Sequence, residues 1–245
     1  MKYLHNIGQY FIMIKEAFSR MTKRSVLYER VLNEIDELII DSLGIVCFLS
    51  FFIGGVLTIQ TSLNLENPLI PRSLIGFTTK QGIILEFSPT LVSIIMAGKA
   101  GSYITSSIGT MRVTEQIDAL EIMGINSINY LVFPKIIAML FYPFLIAISM
   151  FVGILGGYVT GEFGGYVSAE NFIIGLQMDF DPFQLVYAFV KTFFFGLILA
   201  TMPAYFGYYM RGGSLEVGKA STSSFVWTSI VLILVNYVLT QLLLS

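Results

Sequence analysis

Two ionisable side chains lie within stretches greasy enough to cross a bilayer. Glu86 opens the segment EFSP, and Lys191 interrupts LVYAFVKTFFFGLIL. A charge at membrane depth costs about 2.5–3.5 kcal/mol on insertion scales, so such residues face a cavity, a partner or a pathway. Opposite signs offset part of that cost. The pair supports two readings. One is a polar pocket in which Lys191 meets an anionic phosphate. The other is a structural ion pair, or a Glu86 lying in the outer interface. Asn236, in VLILVNYVLTQ, is a further candidate for the same pocket, against the alternative of an interhelical hydrogen bond.

A second group of reactive side chains sits in a polar stretch between apolar runs. Thr114 is expected to cap a helix over Glu115–Met123, with Glu115 favourable in the first turn and Gly124 as the stop. Ile117, Leu120 and Met123 recur every three residues beside Glu115, Asp118 and Glu121. That pattern predicts an apolar ridge edged with acids, suited to a groove in another protein. The three acids argue against a helix resting on anionic lipid.

Other chemistries find no residues. Gly213–Lys219 has the glycine and lysine spacing of a phosphate-binding loop, but Ala220 stands where Ser or Thr would hold magnesium. No HExxH or GxSxG occurs. With Cys47 and His5 each alone of their kind, no disulfide framework and no metal site is expected. The reading is a non-enzyme without a cofactor of its own; if ATP drives it, ATP and magnesium bind a separate chain.

The elements that position these residues follow from composition. Of 245 residues, 55% are hydrophobic and only 12% charged, with a mean hydropathy of +0.77. Soluble domains carry about 25% charged residues. The net charge of −2 gives no basis for nucleic-acid binding. Three charge-free runs reach spanning length: Ser42–Leu65, Ile136–Gly161 and Ala220–Ser245. Phe183–Met210 is interrupted only by Lys191, and a fifth span lies near Ile83–Ile108. The expected fold is an all-α integral membrane protein. An amphipathic interfacial helix region, 1–38, precedes a five-helix membrane domain, 39–245, with a short cytoplasmic helix at about 114–124 between the second and third spans.

Within 1–38, Leu4, Ile7, Phe11, Ile14, Phe18 and Met21 draw one apolar stripe, flanked by Lys2, Lys15, Lys23 and Arg24. That predicts a helix in the headgroup layer, the alternative being a helix packed on a partner protein. Residues 1–38 hold six Lys/Arg, while Glu162–Asp181 holds none and four acids. Positive-inside then places the N-terminus in the cytoplasm and the C-terminus outside. No cleavable signal peptide is evident. Small residues recur every four positions at Ala97, Gly101, Thr105 and Gly109, and again at Gly153, Gly157, Gly161 and Gly165, as in close helix packing or dimer contacts. Pro134, Pro143 and Pro203 are expected to kink or bound their helices.

The densest motif, AGKAGSYITSSIGTMRVTEQIDALEIMGI (Ala97–Ile125), resembles the signature of the MlaE-type permeases, membrane subunits of phospholipid ABC transporters. Similarity continues through GGVLTIQ (Gly54–Gln60), EFSP (Glu86–Pro89), YLVFPKIIA (Tyr130–Ala138) and GYYMRGGSLEVGKASTSSFV (Gly207–Val226). The chain departs from the pattern at Lys99, where Arg is common, at Tyr103, where a small residue is common, and at Ser107, where an acid is common.

The resemblance implies a homodimeric permease in the bacterial inner membrane. Its implied partners are a cytoplasmic ABC ATPase subunit and an MCE-domain lipid-binding protein on the outer side, with phospholipid as cargo. The implied ATPase-coupling residues are Glu115, Gln116, Asp118, Leu120, Glu121 and Met123. The implied lipid pocket at the dimer interface adds Gln60 to Glu86, Lys191 and Asn236. Gly54, Gly55, Ala97 and Gly101 become dimer or helix-packing positions. The rival reading is a self-sufficient channel or ion-coupled secondary transporter using Glu86 and Lys191. A membrane scaffold is a third.

Overall fold

The structure, a computed structural model, describes residues 2–19, 24–65 and 70–244. Met21 and Lys23 of the N-terminal pattern and Ser245 of the last span lie outside the described residues, as do the side chains of Lys2, Leu4 and Arg24.

Helices dominate. They run α1 (Lys2–Ala17), α2 (Arg24–Leu38), α3 (Leu43–Asn64), α4 (Ser73–Gly82), α5 (Val92–Met96), α6 (Ser102–Val113), α7 (Gln116–Ile122), α8 (Ser127–Met139), α9 (Tyr142–Phe163), α10 (Ala169–Gln177), α11 (Pro182–Tyr208) and α12 (Ser214–Leu244). Wide π-helical turns at Ile83–Leu91 and Ala97–Gly101 join α4, α5 and α6 into one continuous helical run. Among the described residues five helical runs are long and apolar enough to cross a membrane: Val26–Asn64, Ser73–Val113, Ser127–Phe163, Pro182–Tyr208 and Ser214–Leu243.

Three of these runs are longer than their apolar sequence. Ser73–Val113 has 41 residues, against the expected Ile83–Ile108. At 1.5 Å per residue it reaches about 60 Å, roughly twice the hydrocarbon thickness. Protein contacts satisfy polar groups in these extensions. Lys80, expected in a connecting loop, lies on α4 and is buried. Its ammonium donates to Leu176 O (3.1 Å) and Met178 O (2.6 Å) at the end of α10, where helical carbonyls lack partners. Hydropathy missed α10, whose nine residues are too few for a span.

The chain divides into two compact units. The first comprises Met1–Ser42, Ile94–Tyr142 and Phe194–Val238. Here α1 packs Met13 and Ala17 inward, and the Tyr10 hydroxyl pairs with Thr201 at 2.7 Å. Burial raises the Tyr10 phenol above its ordinary pKa, so it stays protonated. The predicted stripe residues Ile7, Phe11 and Phe18 remain exposed on another face. Three charged side chains of α2 find partners within the unit. Glu34 pairs with the buried Lys135, Glu37 accepts from Tyr103, and Arg30 stacks 3.5 Å over the Tyr130 ring. The described residues of 1–38 thus hold two helices, the second leading into the first span.

The second unit comprises Leu43–Ser93, Pro143–Phe193 and Leu239–Ser245. It is held by backbone contact. A Cβ on Gly54 would sit 1.8 Å from Gly153 O, and one on Gly156 would sit 2.0 Å from Phe51 O. Gly55 faces Thr160 in the same seam, and Ser50 and Ser149 share a hydrogen bond of 2.7 Å. Gly54 and Gly55 therefore pack α3 on α9 of the same chain. Gly54→Ala is expected to destabilise by about 1–3 kcal/mol, the range for overpacking, read as a lower melting temperature in detergent. An unchanged melt would contradict this contact.

Candidate functional site

The two membrane ions meet inside the second unit. Lys191, on α11, is fully buried, and its ammonium lies 3.0 Å from Glu86 Oε1, 3.0 Å from Leu85 O and 2.9 Å from the Tyr187 hydroxyl. Three acceptors use all three protons of the ammonium. The Tyr187 oxygen accepts from Lys191 and shares a hydrogen bond of 2.8 Å with Thr240 Oγ1. Thr240 Oγ1 in turn lies 3.4 Å from Glu86 Oε1. Thr90 Oγ1 donates to the other carboxylate oxygen at 3.1 Å. The result is a hydrogen-bonded ring of Lys191, Tyr187, Thr240 and Glu86, closed by the ion pair.

The backbone explains why the ammonium also reaches Leu85. Pro89 has no N–H to give the carbonyl four residues before it, which is Leu85 O. The chain widens into the π turn over Ile83–Leu91, and Lys191 donates to that oxygen. Such turns recur at functional sites. The two ions differ in access: the Glu86 side chain is 42% exposed and that of Lys191 is 0%. The accessible side of the cluster is therefore a carboxylate.

Two further residues were expected in the pocket. Gln60 is exposed on α3, in a shallow recess with Val56, Ile59, Leu63 and Asn64. Asn236 is half-buried on α12 and belongs to the first unit. Sequence reasoning missed Tyr187 and Thr240. Tyr187 lies one turn before Lys191 on the same face, and that spacing could have found it. Nothing in the sequence marks Thr240, which meets Glu86 from 154 residues away.

The loop helix departs from expectation in two ways. Thr114 does not cap it: its hydroxyl donates to Thr110 O (2.9 Å), and Glu115 turns the chain with φ 60° ahead of α7. The stop is as expected, with Gly124 at φ 74°. The ridge is also rearranged. Residues three apart drift by about 60° around a helix of 3.6 residues per turn, so Ile117 and Met123 point some 120° apart. Ile117 is buried, whereas Ile122 is 88% and Met123 65% exposed. The exposed apolar tip is thus Ile122–Met123. Exposed Glu115 and Gln116 lie at the opposite end of α7, and Leu120 is half-buried.

Two of the three acids hold α7 in place. Asp118 pairs with Arg112 at 2.9 Å. Glu121 Oε1 accepts from Ser127 Oγ (2.9 Å) and from the Tyr208 hydroxyl (3.0 Å). In the same unit, Gly101 packs on Pro203, Thr105 Oγ1 lies within hydrogen-bond distance of Pro203 O (3.0 Å) and Ser224 Oγ (2.9 Å), and Ala97 is buried. This small-residue ladder joins the chain's own helices. Among the described residues no cluster of metal-binding side chains occurs.

Five spanning helices, an ion cluster within the apolar segments and an anchored helix with an exposed apolar tip define a multi-pass helical membrane protein. The chain belongs to the MlaE permease family: the family described as Permease MlaE matches residues 31–242. It is 32% identical over 238 residues to a protein named "Probable ABC transporter permease protein" from Rickettsia bellii, covering 97% of this chain and 92% of that one. It is 31% identical over 245 residues to a protein of similar name from Synechocystis sp., covering 96% and 87%. It is 28% identical over 231 residues to "Protein TRIGALACTOSYLDIACYLGLYCEROL 1, chloroplastic" from Arabidopsis thaliana, covering 94% of this chain and 66% of that one.

Proposed function

We propose that this chain is the permease subunit of an ABC transporter that moves phospholipid between the bacterial inner and outer membranes. It works as a homodimer in the inner membrane, with its N-terminus in the cytoplasm and its C-terminus in the periplasm. A separate ATPase chain binds ATP and magnesium, and an MCE-domain protein receives or delivers lipid on the outer side. The observation that carries the reading is α7: a short helix fixed at Asp118 and Glu121, presenting Ile122 and Met123 to a partner. A loop that only reconnects two spans needs neither the anchor nor the apolar tip. The names of the relatives favour an ABC transporter, and one carries the name of a glycolipid, which favours a lipid cargo.

Nucleotide-driven closure of the ATPases pushes α7, and the dimer switches between a lipid-accepting pocket and a collapsed one. Glu86 faces the cargo, and Lys191 holds it there. Gln60 belongs to the same pocket. The dimer seats on exposed faces of the spans, because Gly54 and Gly55 already serve α9. A fixed ring in which every Lys191 donor is engaged gives little support to an ion relay.

The test is purification from the native host in gentle detergent, followed by mass spectrometry of bound proteins and lipids. An ATPase and an MCE protein at fixed ratio, with phospholipid, are the expected result. A lone permease that transports without ATP would overturn the reading in favour of the ion-coupled transporter.

A further inference from the structure

The start of α8 grips the end of α1. Asn126 is the N-cap of α8: its side-chain oxygen accepts from Asn129 N at 3.1 Å. That leaves its amide nitrogen to donate, and it points at the last turn of α1. It lies 3.3 Å from Glu16 O, 3.4 Å from Ser19 O and 3.3 Å from Ser19 Oγ. Asn129, fully buried, donates to Ala17 O. The final carbonyls of a helix have no partner within it. Here Ser19 N closes on Glu16 O, and two asparagines from the segment after α7 add further donors to this end. Phe18 adds an edge-to-face contact with Phe133, with ring centroids 5.3 Å apart.

The same segment is bound to α7. Ser127 is the neighbour of Asn126, and its hydroxyl donates to Glu121 of α7. Glu121, Ser127 and Asn126 thus form a continuous run of contacts from α7 to the end of α1. The outer face of α1 carries exposed Ile7 and Phe11, which suits headgroups and acyl chains. A floating anchor needs no such grip on its C-terminus.

We propose that Asn126 and Asn129 are positioning residues that make α1 a lipid-embedded arm of the partner-facing loop, so that displacement of α7 is delivered to the cytoplasmic headgroup layer. This rests on the reading of α7 as the ATPase-docking helix. The arm presses on or releases lipid beside the permease as the nucleotide state changes.

Asn126→Asp separates the grip from the cap. Aspartate still accepts from Asn129 N and caps a helix as well as asparagine does, but it has no amide to donate. The experiment uses the permease purified with its ATPase, in vesicles of phosphatidylethanolamine and phosphatidylglycerol. A tryptophan reporter at Phe11→Trp, in a Trp227→Phe background, is quenched by brominated lipid. In the otherwise native protein, quenching is expected to change on addition of ATP. In Asn126→Asp, ATPase content and hydrolysis are expected to hold while the ATP-dependent change in quenching disappears. Transport of a fluorescent phosphatidylethanolamine per ATP is expected to fall roughly tenfold, within the usual range of coupling between sites. Asn126→Ser, which also caps, is expected to match it. Unaltered ATP-dependent quenching in both variants overturns the proposal, and so does a native α1 whose quenching ignores ATP. Loss of the ATPase from the variants also overturns it, because Asn126 would then act in docking. Absence of an ATPase from the native preparation instead removes the reading of α7 beneath it.

Discussion

Replacing Lys191 by methionine is expected to destabilise the folded permease by about 3 kcal/mol, the lower end of the range for breaking a buried pair. The change deprives three acceptors at once: Leu85 O, the Tyr187 hydroxyl and Glu86. Glu86 is partly exposed and can recover some solvation, which sets the estimate at the low end. The double change Glu86→Gln with Lys191→Met is expected to be milder, since no uncompensated charge is left. Melting in detergent gives the comparison, and a double variant no more stable than the single one would contradict the ion-pair account. Bound phospholipid per folded permease is the second readout. A fall in the double variant is expected if Glu86 faces the cargo; unchanged content would remove the pair from the lipid pocket.

The second large effect is expected at the tip of α7. Changing Ile122 and Met123 to aspartate should abolish co-purification of the ATPase without changing the permease melt. Both side chains are exposed in the chain alone, so the fold does not depend on them. Apolar anchors at the centre of an interface are worth 2 kcal/mol or more, which is roughly thirtyfold in affinity. Charge reversal at Glu115, exposed and at the opposite end of the helix, should cost less. If the ATPase survives the double change, α7 is not its dock. If the permease unfolds, the tip belongs to the core.

These two sites were legible to different degrees. Hydropathy located the spans because a bilayer demands long apolar helices, and the helical ends it missed carry Lys80 and Arg30, which protein contacts satisfy. The Glu86–Lys191 pair was visible because charges are rare in such runs. Its ring was not, since Thr240 is an ordinary residue in its own helix. The loop helix was legible as an element, but its orientation was not. Three-residue spacing suggested one ridge, while the tie of Glu121 to Tyr208 fixes a rotation that buries Ile117. The ladder beginning at Gly153 marked close packing, yet only the fold shows that its partner is Gly54 of the same chain.

The seam between Gly54 and Gly153 has a consequence for biogenesis. Its two halves are made about a hundred residues apart, which at 5–20 residues per second separates them by roughly 5–20 s. During that interval α3 stands in the bilayer with a bare strip of backbone and no α9 to cover it. Nascent chains halted between these helices should hold the first span loosely, open to cross-linking by insertion machinery or by lipid. That protection should appear in one step once α9 enters.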